Sequence, residues 1–137
     1  MNDDKISDED NHEEAVSSPK LFDIRERAFA FAVRIIKLCK FLEKHRDVSK
    51  NVISQLLDAG TSVGANLEEA KAAQSRADFI HKNNISLKEA RESSYWLKLI
   101  LATEKFDESV ERGIKELENE SLELANIIGK IITSTKK

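Results

Sequence analysis

At 137 residues, 40% hydrophobic and 34% charged, the chain suits one domain with one core. Its 6% aromatics, single Pro and four Gly exclude the turn-rich composition of a β-sandwich. No run approaches the roughly eighteen apolar residues of a membrane-crossing helix. The acidic start also lacks the layout of a signal peptide, so a cytoplasmic protein without membrane association is expected.

Residues 1–20 hold seven Asp/Glu and two Lys and show no hydrophobic periodicity, which predicts a disordered acidic tail ahead of a helical domain at 21–137. The body carries 20 basic and 18 acidic residues, so it lacks the strongly basic footprint of a dedicated nucleic-acid binder. A first helix is predicted from about Phe22 to Lys44, with Ala28, Phe31, Ile35, Leu38 and Leu42 on one face and Ala32 and Cys39 beside them. Phe29, Val33 and Ile36 form a second apolar row that one bundle face does not use. Cys39 is the only cysteine, so no intrachain disulfide can form, and its place on the stripe reads as a buried thiol.

Ser49 is the expected N-cap of a second helix that ends near Ala73, with Ile53, Leu56, Gly60, Val63, Leu67 and Ala70 at alternating steps of three and four. Ser75-Arg76-Ala77-Asp78 resembles a capping box with Asp in place of Glu, and starts a third helix over 76–103. Its seam is Ile80, Asn83, Leu87, Ala90, Ser94, Leu97 and Leu101. The fourth helix, from near Asp107 to about Thr133, carries Val110, Ile114, Leu117, Ser121, Leu124, Ile128 and Ile131. Four amphipathic helices with short connections predict an all-α, antiparallel up-and-down four-helix bundle. Gly60 and Gly64 are then expected to meet the small middle of the third helix, Ala90 and Ser94, and let the two helices approach closely.

The segment Gly60-Thr61-Ser62-Val63-Gly64-Ala65-Asn66-Leu67-Glu68-Glu69-Ala70 resembles the second-helix signature of the bacterial four-helix bundle proteins encoded in ribosomal RNA intervening sequences. Asp78-Phe79-Ile80 and the run from Ile85 to Leu97 resemble the third-helix signature of that family, and the likeness spans roughly Phe29 to Glu104. The resemblance implies a bundle that assembles as a ring, typically a homopentamer, and implies no catalytic activity. A distantly related family of retroelement accessory proteins binds nucleic acid through a basic ring surface, which implies RNA or DNA as an alternative partner.

Ser62, Asn66 and Glu69 form a polar stripe beside the second-helix seam, and Glu89 and Glu92 lie near Tyr95 and Trp96 on the third helix. The stripe and Glu89 are expected to share a polar network between helices; a catalytic carboxylate pair of Glu69 and Glu89 is the competing expectation, without an accompanying histidine or nucleophile. Three histidines cannot supply the paired Glu-x-x-His motifs of a di-iron bundle, and no phosphate loop or zinc spacing is present, so neither metal nor cofactor is expected. Arg34, Lys37, Lys40 and Lys44 make the candidate nucleic-acid face, within a segment (21–50) of eight basic and four acidic residues. Tyr95 and Trp96 are expected to join Phe29, Val33 and Ile36 in a subunit interface. The functional expectation is a non-enzymatic, self-associating scaffold or adaptor with no small-molecule substrate. The alternative is a weak, sequence-nonspecific RNA- or DNA-binding accessory protein.

Overall fold

The computed structural model describes residues 20–45 and 47–137, with side chains from Ile24 onward; the predicted acidic tail lies outside the described residues up to Lys20. Four helices follow in chain order: α1 (Lys20–Leu42), α2 (Lys50–Lys71), α3 (Arg76–Thr103) and α4 (Glu108–Lys136). Each packs on the next and α4 closes back on α1, while α1 and α3 lie across the diagonal. Cross-helix pairs run in opposite numerical order, Val63 with Ser86 and Glu69 with Lys82, Arg27 with Glu120 and Arg34 with Glu116, as antiparallel neighbours require. The fold is the expected all-α four-helix bundle.

Local chemistry sets the helix starts. Ser49 Oγ accepts from Val52 N at 3.2 Å, Ser75 Oγ from Asp78 N at 3.0 Å, and Asp107 Oδ1 from Val110 N at 3.2 Å. In the Ser75 box the return arm from Asp78 reaches Gln74 N at 3.4 Å instead of the N-cap amide itself.

The α2 face is buried as its spacing predicts, with Ala59 added to Ile53, Leu56, Gly60, Val63, Leu67 and Ala70. On α1 the inward line is Ile24, Ala28, Phe31, Ile35, Cys39 and Leu42, so Cys39 takes the seam and Leu38 moves to the flank. The α3 face differs more. Asn83, Ser86, Ala90, Ser93, Ser94, Leu97 and Ile100 are buried, while Ile80, Leu87 and Leu101 are half-buried. Serines fit there because their hydroxyls bond backbone carbonyls: Ser93 Oγ donates to Glu89 O at 2.9 Å, and Ser86 Oγ crosses to Val63 O of α2 at 2.7 Å. On α4 the core takes Ala125 and Ile132, and Val110 and Ile131 lie at its edge.

Candidate functional site

The glycine segment of α2 packs against α1. A Cβ added at Gly60 would lie 2.8 Å from both Cγ1 and Cγ2 of Ile35, and one at Gly64 would lie 3.5 Å from the Ala28 backbone and its Cβ. The expected partners Ala90 and Ser94 are buried on α3, but the glycines do not face them. The α2–α3 contact is made close instead by Ser86 bonded to the Val63 carbonyl. The seam period locates a buried face; it does not say which of two flanking helices the glycine edge meets.

The polar stripe does not form one network with Glu89. Asn66 Nδ2 donates within its own helix to Ser62 O at 2.9 Å, and Glu69 pairs with Lys82 at 2.7 Å. Lys82 precedes Glu89 by seven residues, about 10 Å along a helix, so Glu69 and Glu89 sit at different levels. Glu69 raises the Lys82 pKa, chiefly through that hydrogen bond. Burial raises the Glu89 pKa, and the charges of Glu92 and Asp58 add to it against Lys88. Two carboxylates held apart in this way do not make an acid–base pair. Among the described residues there is also no cluster of three His, Cys, Asp or Glu able to hold a metal ion.

An open groove of about 910 Å³ lies between α1 and α4, walled by Phe29, Val33, Leu38, Phe41, Val110 and Leu117. Phe29 is 71% exposed, and Phe41 and Ile36 are also exposed. Gly113 lies in this groove, and a Cβ added to it meets nothing within 4 Å. Polar ties hold the two helices beside the groove. Arg27 Nε donates to Glu120 Oε2 at 3.0 Å and its Nη2 to Glu120 Oε1 at 2.6 Å and Glu123 Oε1 at 2.8 Å. The Glu120 hydrogen bond raises the Arg27 pKa, burial opposes it, and Glu123 adds to the rise. The sequence signal for this clamp was the row Glu116, Glu120, Glu123 on α4 facing Arg27 and Arg34 on α1, each at helical spacing.

Of the candidate nucleic-acid face, Arg34 is engaged with Glu116 at 3.2 Å, and Lys37 and Lys40 are exposed along α1; the helix ends at Leu42, so Lys44 is exposed in the turn after it. On α3, Tyr95 is 57% exposed while the half-buried Trp96 leans on the core; their rings meet edge-on at 5.2 Å. Trp96 Nε1 is buried and donates to no acceptor among the described residues.

No helix among the described residues is long and apolar enough to cross a membrane. The chain matches the family model described as 23S rRNA-intervening sequence protein over residues 20–130. It is also similar to the crystal structure of a protein with unknown function from the S23 ribosomal protein family of Bacteroides thetaiotaomicron. The two are 41% identical with a TM-score of 0.75, over 84% of this chain and 99% of that one. No curated protein matches. With the family model covering all but the last few residues of the four helices, the chain belongs to the 23S rRNA-intervening sequence protein family.

Proposed function

We propose that this protein is a non-enzymatic, self-associating bundle that works as a scaffold or adaptor, its copies joined head to tail in a ring. The α1/α4 groove carries this reading. It leaves Phe29 71% exposed and places Gly113 where a side chain would meet only open space. A glycine inside a helix costs about 1 kcal/mol relative to Ala, and no contact among the described residues offsets it at Gly113. Close approach by another chain accounts for both facts, since a contiguous exposed apolar surface marks an interaction site.

The second face is Tyr95 and Trp96 on α3, the helix diagonal to α1. Two different patches on different sides of one molecule make a head-to-tail contact, which closes as a ring when the rotation allows. The likeness to bundles encoded in ribosomal RNA intervening sequences sets the expected number at five. Sedimentation velocity at micromolar concentration tests the reading: one discrete species well above the 15.5 kDa protomer supports it, and a monodisperse protomer overturns it.

A second reading, weak binding of RNA or DNA without sequence preference, rests on Lys37 and Lys40, exposed on α1, and Lys44, exposed in the turn after it, which would repeat around a ring. Retention of RNA that falls with salt and is lost in a Lys37→Glu/Lys40→Glu variant supports it. No retention at low salt removes it.

A further inference from the structure

The charges of α4 are segregated along its length. All six of its glutamates lie between Glu108 and Glu123, and residues 124–137 carry Lys130, Lys136 and Lys137 with no Asp or Glu. This acid-free half forms with α3 a groove of about 590 Å³, lined by Arg91 of α3 and by Asn126, Gly129, Lys130, Ser134 and Lys137. Arg91, Lys130 and Lys137 are exposed, and none of them is in an ion pair among the described residues, whereas Arg27, Arg34 and Lys82 each hold a carboxylate. No Asp or Glu lines the groove, and Ala125 is its one apolar side chain. A cleft lined by one sign of charge concentrates its field on a counter-ion that enters it. Gly129 lies half-buried within this lining, and a Cβ added to it meets nothing within 4 Å. Its cost of about 1 kcal/mol in helix propensity is offset by no contact among the described residues, and a position without a side chain lets another backbone come close.

We propose that this α3/α4 groove binds single-stranded nucleic acid through consecutive phosphates of its backbone, without reading the bases. The planar fork of Arg91 grips one phosphate, and Lys130 and Lys137 meet others along the strand as point charges. Asn126 and Ser134 add neutral N–H and O–H donors of the kind that hold phosphate oxygens. From Asn126 to Lys137 the helix rises about 16 Å, which is room for a short run of phosphates. An acidic protein segment fits less well, because protein partners anchor through apolar side chains and Ala125 is the only apolar wall. No aromatic ring lines the groove to stack a base, so the affinity is electrostatic and falls with salt. The groove shares no residue with the α1/α4 groove and does not use the α1 lysines, so the inference rests on neither reading above.

The test is fluorescence anisotropy of a labelled oligouridylate of about 20 nucleotides, titrated with the full chain between about 50 and 200 mM salt. Lys130→Glu/Lys137→Glu, at two exposed positions, is expected to weaken binding at least about tenfold at the lower salt. Lys130→Gln/Lys137→Gln is expected to make the log–log salt slope shallower by about 1.4, since each neutralised lysine removes ~0.7. Gly129→Leu keeps every charge and gains helix propensity, so it is expected to raise the unfolding midpoint while weakening binding. Undiminished affinity in Lys130→Glu/Lys137→Glu overturns the site, and so does undiminished affinity in Gly129→Leu, which would place the strand outside the groove. A loss in Lys37→Glu/Lys40→Glu as large as in Lys130→Glu/Lys137→Glu also overturns it, as does oligoaspartate of equal charge competing as well as unlabelled oligouridylate. No anisotropy change in the wild type at the lower salt overturns it without recourse to any variant.

Discussion

Replacing Gly60 or Gly64 by Ala adds one methyl group to the same helix one turn apart, with opposite consequences. Either change gains about 1 kcal/mol from helix propensity. At Gly64 the new Cβ lies 3.5 Å from Ala28, an ordinary contact, so Gly64→Ala is expected to stabilise by up to about 1 kcal/mol. At Gly60 it lies 2.8 Å from two Ile35 carbons and 3.1 Å from the branched Cβ between them. Ile35 is fully buried, and branching at Cβ fixes its rotamer, so it cannot swing away. Overpacking of this kind costs about 1–3 kcal/mol and exceeds the propensity gain at most of that range. Gly60→Ala is therefore destabilising by a net of up to ~2 kcal/mol. Thermal unfolding followed by circular dichroism reads the difference, with the two midpoints expected on opposite sides of wild type by several degrees. A control, Ile35→Ala, is expected to cost less in the Gly60→Ala background than in the wild type, because it deletes both Cγ carbons that the new methyl group crowds. If Gly60→Ala and Gly64→Ala shift the midpoint equally, α2 does not meet α1 through Gly60.

Other residues give independent checks. Arg27→Leu removes three charge-assisted hydrogen bonds at a half-buried site and leaves Glu120 beside Glu123, so a loss of about 1–2 kcal/mol in urea unfolding is expected, smaller at high salt; no change would mean the clamp is solvated. Burial, aided by Glu43, pushes the Cys39 thiol up to about 11, so the thiolate at pH 8 is scarcer by about a hundredfold than at its ordinary value; Ellman's reagent should react only on unfolding. Because the folded thiol holds its proton longer than the unfolded one, this contribution to stability is present below about pH 9 and lost as pH rises toward 11. Burial together with Glu92 raises the Glu89 pKa, so its charge disfavours folding at neutral pH and its protonation on acidification relieves that. Glu89→Gln is expected to raise the midpoint slightly at pH 7 and to lose that advantage on acidification, as the wild-type carboxyl takes up its proton.

The period of three and four located every buried position of α2 but Ala59, because nothing on that face competes with hydrophobic burial. On α3 it favoured Ile80, Leu87 and Leu101 over Ser86, Ser93 and Ile100. A serine that bonds a carbonyl of its own or a neighbouring helix packs like a small apolar residue, and composition does not reveal that bond. The caps at Ser49 and Ser75 were legible since each depends on residues three apart, while Asp107 was legible only as the neighbourhood of a helix start and its capping role came from the structure. The partner of the glycine edge was not, because it depends on how the helices are arranged around the bundle. The Arg27 clamp depended on the same register between α1 and α4. The unused apolar row Phe29, Val33 and Ile36 was visible from spacing, and Phe29 and Ile36 are exposed in the folded chain while Val33 is half-buried.

The head-to-tail claim is tested most directly by mixing two variants, Phe29→Arg, which blocks the α1/α4 groove, and Tyr95→Arg, which blocks the α3 face. Both positions are exposed, so both chains keep the fold. In sedimentation or mass photometry each variant alone is expected at the protomer mass. An equimolar mixture is expected to give a heterodimer and nothing larger, because one intact groove meets one intact α3 face. A mixture that stays at the protomer mass, or either variant assembling alone as the wild type does, contradicts the claim.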